Sequence, residues 1–154
     1  MQKLSGGLLA ALALFTASGP LGIDMYLPGM PELATSLSTS HSFAQMTITG
    51  FMLGMALGNL LFGAISDGTG RKPVIIVASA VALVASVACA LADSIAFLIC
   101  ARFFQGLAGG CAIVVARAVV PDIAHGKQAA RGLSALMAIS GFMPAIAPVL
   151  GLSL

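Results

Sequence analysis

The chain has 154 residues, of which 59% are hydrophobic and 8% charged, and its mean hydropathy is +1.07. A soluble domain carries about 25% charged residues, so this composition excludes a water-soluble globule and indicates an integral membrane protein. The net charge of +2 comes from scattered cations, which leaves no basic patch for nucleic acid.

In chain order, the first apolar run covers residues 4–27. Lys3 with the apolar stretch 8–15 looks like a signal peptide, but the run continues past it and no hydrophilic domain follows, so we read an uncleaved first span. Gly19-Pro20 is expected to kink this span, because proline removes a helical hydrogen bond and clashes one turn back. Tyr26 falls where interface aromatics lie, and the Pro-, Ser- and Thr-rich residues 28–41 read as a polar loop. A second span is expected over 43–65 and a third over 73–92, with Pro73 in its first turn. Asp93-Ser94 reads as a minimal turn with Asp93 as cap of a fourth span over 95–120. Residues 121–131 read as a polar connector, and a fifth span, 133–154, is still apolar at the last residue. The fold class expected is an all-α membrane protein, one helical bundle of about five spans. Cys89, Cys100 and Cys111 fall inside the apolar runs without ligand spacing, and His41 and His125 stand alone in loops, so neither a metal nor a cofactor is expected.

Between spans 2 and 3 lies the polar stretch Gly63-Ala64-Ile65-Ser66-Asp67-Gly68-Thr69-Gly70-Arg71-Lys72-Pro73. If five spans alternate, Lys3, Arg71, Lys72, Arg117, Lys127 and Arg131 all fall on one side of the membrane, so that side, with the N-terminus, is expected to be cytoplasmic.

Four features carry chemistry. Gly50, Gly54 and Gly58 recur every four residues and make a smooth helix face for close approach. Arg102 is expected roughly 12 Å below the outer surface at 1.5 Å per residue, a depth that costs several kcal/mol unless the charge is paired or hydrated. Gln105, three residues on, shares its face. Asp24 has a similar depth in span 1, which suggests a cavity shared with Arg102 and a carboxylate that exchanges protons; the plainer alternative is an interfacial acid in contact with water. No nucleophile with a base, no paired carboxylates and no phosphate loop is present, so no enzyme is indicated.

The stretch with Gly63, Asp67, Gly70, Arg71 and Lys72 resembles the loop signature G-x-x-x-D-x-x-G-R-[KR] between helices 2 and 3 of major facilitator superfamily transporters. Arg102-Phe103-Phe104-Gln105-Gly106 is similar to the R-x-x-Q-G signature of helix 4 in that superfamily. Asp24-Met25-Tyr26-Leu27-Pro28-Gly29-Met30-Pro31 resembles a run of the Bcr/CflA branch of drug:proton antiporters, and Arg117-Ala118 with Asp122 resembles that branch's end of helix 4. Residues 141–151 are similar to the antiporter signature of helix 5, in which Pro144, Pro148 and Gly151 bend the helix, although the first part departs from the family's G-P pairing.

The resemblance implies an incomplete N-terminal half of the major facilitator fold. It implies proton-coupled export of small amphipathic drug-like molecules across a bacterial inner membrane, with Asp24, Arg102 and Gln105 beside the pathway. Gly63, Asp67, Gly70, Arg71, Lys72, Arg117 and Asp122 would form a cytoplasmic gate. The implied partners are the lipid bilayer, drugs, protons and a missing C-terminal half. Two alternatives stand beside this reading: a truncated, non-transporting membrane protein or interaction partner, and a nutrient or sugar transporter of the same superfamily.

Overall fold

The computed structural model describes residues 6–151, with side chains as far as Phe142. Its regular elements among these residues are all helical: α1 (Gly6–Asp24), a 3₁₀ turn (Leu27–Gly29), α2 (Met30–Ser36), α3 (His41–Thr69), α4 (Arg71–Ala90), α5 (Ile95–Ile123) and α6 (Lys127–Gly151). The segment Gly6–Ser36 and helices α3, α4 and α5 are each long and apolar enough to cross a membrane.

Hydroxyl caps set where the long helices begin. Ser40 precedes α3 and Ser94 precedes α5, each in an extended conformation with its Oγ accepting from the backbone N–H three residues on, Phe43 and Phe97 respectively, at 3.4 Å. The cap of α5 is therefore Ser94, not the expected Asp93. Helix α1 runs unbroken through Pro20.

Two expected loops are largely helical. Residues 28–41 hold the 3₁₀ turn and α2, because Pro28 and Pro31 sit in first turns, where a missing N–H costs nothing, and Glu32 complements the positive end of α2. The connector 121–131 shrinks to Ala124, His125 and Gly126, since α5 continues through Pro121 to Ile123 and α6 starts at Lys127. The polar turn at 63–73 contracts further, to Gly70 alone. Its φ of +94° closes α3 and opens α4, a conformation that L side chains rarely adopt. Helical ends that project past an apolar slab carry polar residues without becoming loops, which is why composition alone misplaced these boundaries.

Helix α5 is the centre of the bundle. It is 56% buried along its apolar stretch, against at most 28% for the other spans. Leu12 and Ala13 of α1 meet Ala116 and Val120 of α5 and Leu136 of α6 in one cluster. Val74 and Ala78 of α4 meet Cys111 and Val115 in another. The closest pairing is α3 against α5. A Cβ at Gly54 would overlap the Phe103 carbonyl oxygen, and one at Gly58 the Leu107 oxygen. In return, a Cβ at Gly106 would overlap the Phe51 oxygen, and one at Gly110 the Met55 oxygen. The glycine face expected on α3 thus meets a second glycine pair on α5, and the two backbones touch directly.

Large apolar side chains such as Leu14, Leu60, Leu83, Val84 and Phe142 point outward, an arrangement that costs nothing in a lipid solvent. The expected bending positions Pro144, Pro148 and Gly151 lie outside the residues with described side chains, and Lys3 lies outside the described residues.

Gly54→Val or Gly110→Val should cost at least about 1–3 kcal/mol through overpacking against backbone that cannot yield, read as a lower melting temperature of the detergent-solubilised protein. By contrast, a Cβ at Gly68 near the end of α3 would meet nothing within 4 Å. Gly68→Ala should therefore leave the melting temperature unchanged or raise it, by up to about 1 kcal/mol of helix propensity.

Candidate functional site

The cap at Ser94 places Arg102 two turns into α5, and the helical repeat puts Gln105 on the same face. Arg102 Nη1 donates to the Gly22 carbonyl oxygen at 3.1 Å and to Gln105 Oε1 at 3.0 Å. The Gly22 carbonyl is free for a local reason: the last turn of α1 tightens, and the Tyr26 N–H, its ordinary helical partner, bonds instead to the Ile23 oxygen. Gln105 Nε2 in turn donates to Ser86 Oγ on α4 at 2.9 Å, while the Ser86 hydroxyl donates to the Ala82 oxygen.

A second chain of contacts covers the guanidinium. Its carbon lies 3.7 Å from the centre of the Tyr26 ring, a cation–π contact. The Tyr26 hydroxyl is 2.9 Å from Thr47 Oγ1 on α3. Thr47 is fully buried and its hydroxyl donates to the Ala44 oxygen at 2.6 Å. A hydroxyl has one proton to give, so Tyr26 is the donor and Thr47 the acceptor. Arg102 Nε, by contrast, is buried without a partner, at a cost of about 1–3 kcal/mol.

Arg102, Tyr26, Gly22, Leu21 and Met25 line an open cleft of about 320 Å³. A cavity of about 400 Å³, also lined by Gly22, lies among α1, α3, α4 and α5, with Ser18, Ser79, Ser86 and Gln105 on otherwise apolar walls. Asp24 lines neither space, and among the described residues it makes no ion pair with Arg102. The structure therefore brings Arg102 and Gln105 together and leaves half-buried Asp24 apart from them.

At the opposite end of α5, Arg71 ties three helices. Its Nε donates to Asp122 Oδ2 at 3.0 Å, and its Nη1 pairs with Asp67 and donates to Ser66 Oγ. Ser66 is 1% exposed and its hydroxyl lies 2.9 Å from the Gly63 oxygen. Lys72 and Arg117 are exposed and form no ion pair among the described residues.

The sequence places Tyr26 where interface aromatics lie; its contacts with Arg102 and Thr47 depend on the tight turn after α1. Sequence reasoning passed over Thr47, Ser66 and Ser86. A lone hydroxyl in an apolar helix usually bonds its own backbone, and only three-dimensional proximity separates these from the others. The Gly106–Gly110 spacing was readable in principle as the counterpart of Gly54 and Gly58.

The sequence profile described as Major Facilitator Superfamily matches residues 9–154. The chain belongs to the major facilitator superfamily. It is 38% identical over 140 residues to the "Uncharacterized MFS-type transporter YdgK" of Bacillus subtilis (strain 168), covering 91% of this chain and 35% of that protein. It is 42% identical over 132 residues to "Multidrug resistance protein MdtL" of Escherichia coli O45:K1 (strain S88 / ExPEC), covering 86% of this chain and 34% of that protein. A protein of the same name from Shigella flexneri serotype 5b (strain 8401) matches to the same extent. The chain spans about a third of the length of these curated relatives. Major facilitator proteins are membrane transporters, not enzymes, in keeping with the lack of a catalytic constellation in the sequence.

The Arg71 cluster is partly open to water, with side-chain exposures of 23% for Arg71, 66% for Asp67 and 51% for Asp122. A double-mutant cycle of Arg71→Ala and Asp122→Ala, read by chemical denaturation, should therefore return a coupling of about 0.2–1 kcal/mol that shrinks at high salt. Gly70→Ala should cost more, about 1–3 kcal/mol, because φ +94° with ψ 153° is a conformation open essentially to glycine alone.

Proposed function

We propose that the chain is part of a proton-coupled multidrug exporter, a drug:H⁺ antiporter of the Bcr/CflA type in the bacterial inner membrane. In this reading its N-terminus and the Asp67–Arg71–Asp122 cluster are cytoplasmic. The observation that carries the reading is Arg102: a cation held between α1, the turn that follows it and its own helix α5 inside an apolar bundle, facing a cleft, with one buried donor still unpartnered. So costly a charge is retained in a membrane interior where it serves ions or substrates.

Family membership supports transport. The multidrug resistance named for the MdtL relative supports drugs as the cargo. Asp24 takes the role of the proton-carrying carboxylate, and Arg102 with Gln105 that of the polar wall against which proton and drug exchange. The substrates are small amphipathic molecules. Gly63, Asp67, Gly70, Arg71 and Asp122 form the cytoplasmic gate, with Lys72 and Arg117 as surface cations that hold the orientation. The relatives carry about two thirds of their length outside the matched part, and the transport pathway is proposed for a protein of that length.

The test is drug transport by the full-length protein in everted membrane vesicles under an imposed pH gradient. Asp24→Asn and Arg102→Lys should each lower gradient-driven transport at least about tenfold, an ammonium lacking the planar face that packs against the Tyr26 ring, while membrane abundance stays unchanged. Full transport by both variants sinks the proposed roles. Gradient-driven accumulation of a sugar with no drug movement favours a nutrient transporter.

A further inference from the structure

The resemblance that points to Arg102 and Gln105 says nothing of what covers the face of the Arg102 guanidinium. The structure assigns this to a side chain from the turn that follows α1. We propose that Tyr26, held by Thr47, is the positioning residue for Arg102. The inference rests on the transport role of Arg102 proposed above.

Three observations converge. The centre of the Tyr26 ring lies within 3.7 Å of the guanidinium carbon of Arg102. The ring is not free to rotate away, because its hydroxyl donates at 2.9 Å to a threonine that is fully buried and whose own proton is committed to the Ala44 carbonyl. Finally, Arg102 is left with a buried Nε that has no acceptor. An aromatic face attracts a cation chiefly through its quadrupole and is at best a weak acceptor, so the ring keeps the charge in place but leaves that donor without a conventional acceptor.

Together these contacts make Arg102 a charge with two options. With the Tyr26–Thr47 bond closed, the guanidinium is clamped between the ring and the Gly22 and Gln105 oxygens. With the bond open, the ring can leave and Nε can reach an acceptor in the cleft lined by Leu21, Met25 and Tyr26. Tyr26 follows the end of α1, Thr47 belongs to α3 and Arg102 to α5, so the clamp closes only when all three helices are in register.

The experiment measures drug transport and melting temperature of the full-length protein for Tyr26→Phe, Thr47→Val, their double variant, Tyr26→Leu and Arg102→Lys. Tyr26→Leu should lower transport about tenfold, and Tyr26→Phe, which keeps the ring, should recover most of that loss. Tyr26→Phe and Thr47→Val break the same bond, so the double variant should lose no more than either single one. Additive losses, or full transport by Tyr26→Leu beside an inactive Arg102→Lys, overturn the positioning role alone. Full transport by Arg102→Lys overturns the role of Arg102 on which it rests. If Tyr26→Leu fails to fold, the cycle of Tyr26→Phe with Thr47→Val decides, because both variants preserve shape and volume.

Discussion

The contact between the backbones of α3 and α5 is the constraint on which the rest of this bundle depends. Four glycines, Gly54, Gly58, Gly106 and Gly110, allow two helices to approach until carbonyl oxygens occupy the space a side chain would need. In a bilayer no hydrophobic effect draws helices together, and close packing of this kind supplies the attraction instead. Its effect reaches well beyond stability. Thr47 lies two turns from Gly54 along α3, and Arg102 lies one turn from Gly106 along α5. The short distance between the helices is what lets a tyrosine that follows α1 touch both.

Within that frame the polar groups are connected with little redundancy. The Ser86 and Thr47 protons go to carbonyls of their own helices, which leaves their oxygens to accept from Gln105 and Tyr26. The Gly22 carbonyl is available to Arg102 because the last turn of α1 tightens and withdraws the N–H that would have satisfied it. A buried charge is tolerable when its donors find acceptors; here Nη1 has two, and the buried Nε has none. At the other end of α5 the logic is different. Arg71, Asp67 and Asp122 remain partly exposed, so their geometry holds helix ends in register and contributes little energy.

The sequence was most informative where a residue is costly or conformationally special. Arg102 stands out in an apolar run because burying it is expensive, and Gly50, Gly54 and Gly58 because their spacing matches a helix face. Gly70 and Arg71 could be placed in a turn, yet the turn itself proved to be a single residue, since Asp67 and Thr69 remain helical. Composition failed at the helix ends: polar residues 28–41 and 121–131 look like loops, but Pro28, Pro31 and Pro121 are compatible with the helical turns they occupy. Asp24 illustrates another limit. Depth along the chain put it level with Arg102, but depth says nothing about which side of α1 a residue faces. Tyr26 and Thr47 were invisible as a pair because their meeting depends on how α1 ends and how near α3 lies.

Helix α5 runs without interruption from Ile95 to Ile123 and carries Arg102 near one end and Asp122 near the other. The roughly 20 residues between them make a rod of about 30 Å at 1.5 Å per residue. A stiff rod with charged anchors near both ends behaves as a lever. With the Arg102 end held, a tilt of about 5° would displace the Asp122 end by about 2.6 Å, more than a hydrogen bond survives. The two polar clusters, which share no atom and no side chain, are thereby geared to each other: a small change of tilt that preserves one necessarily disturbs the other.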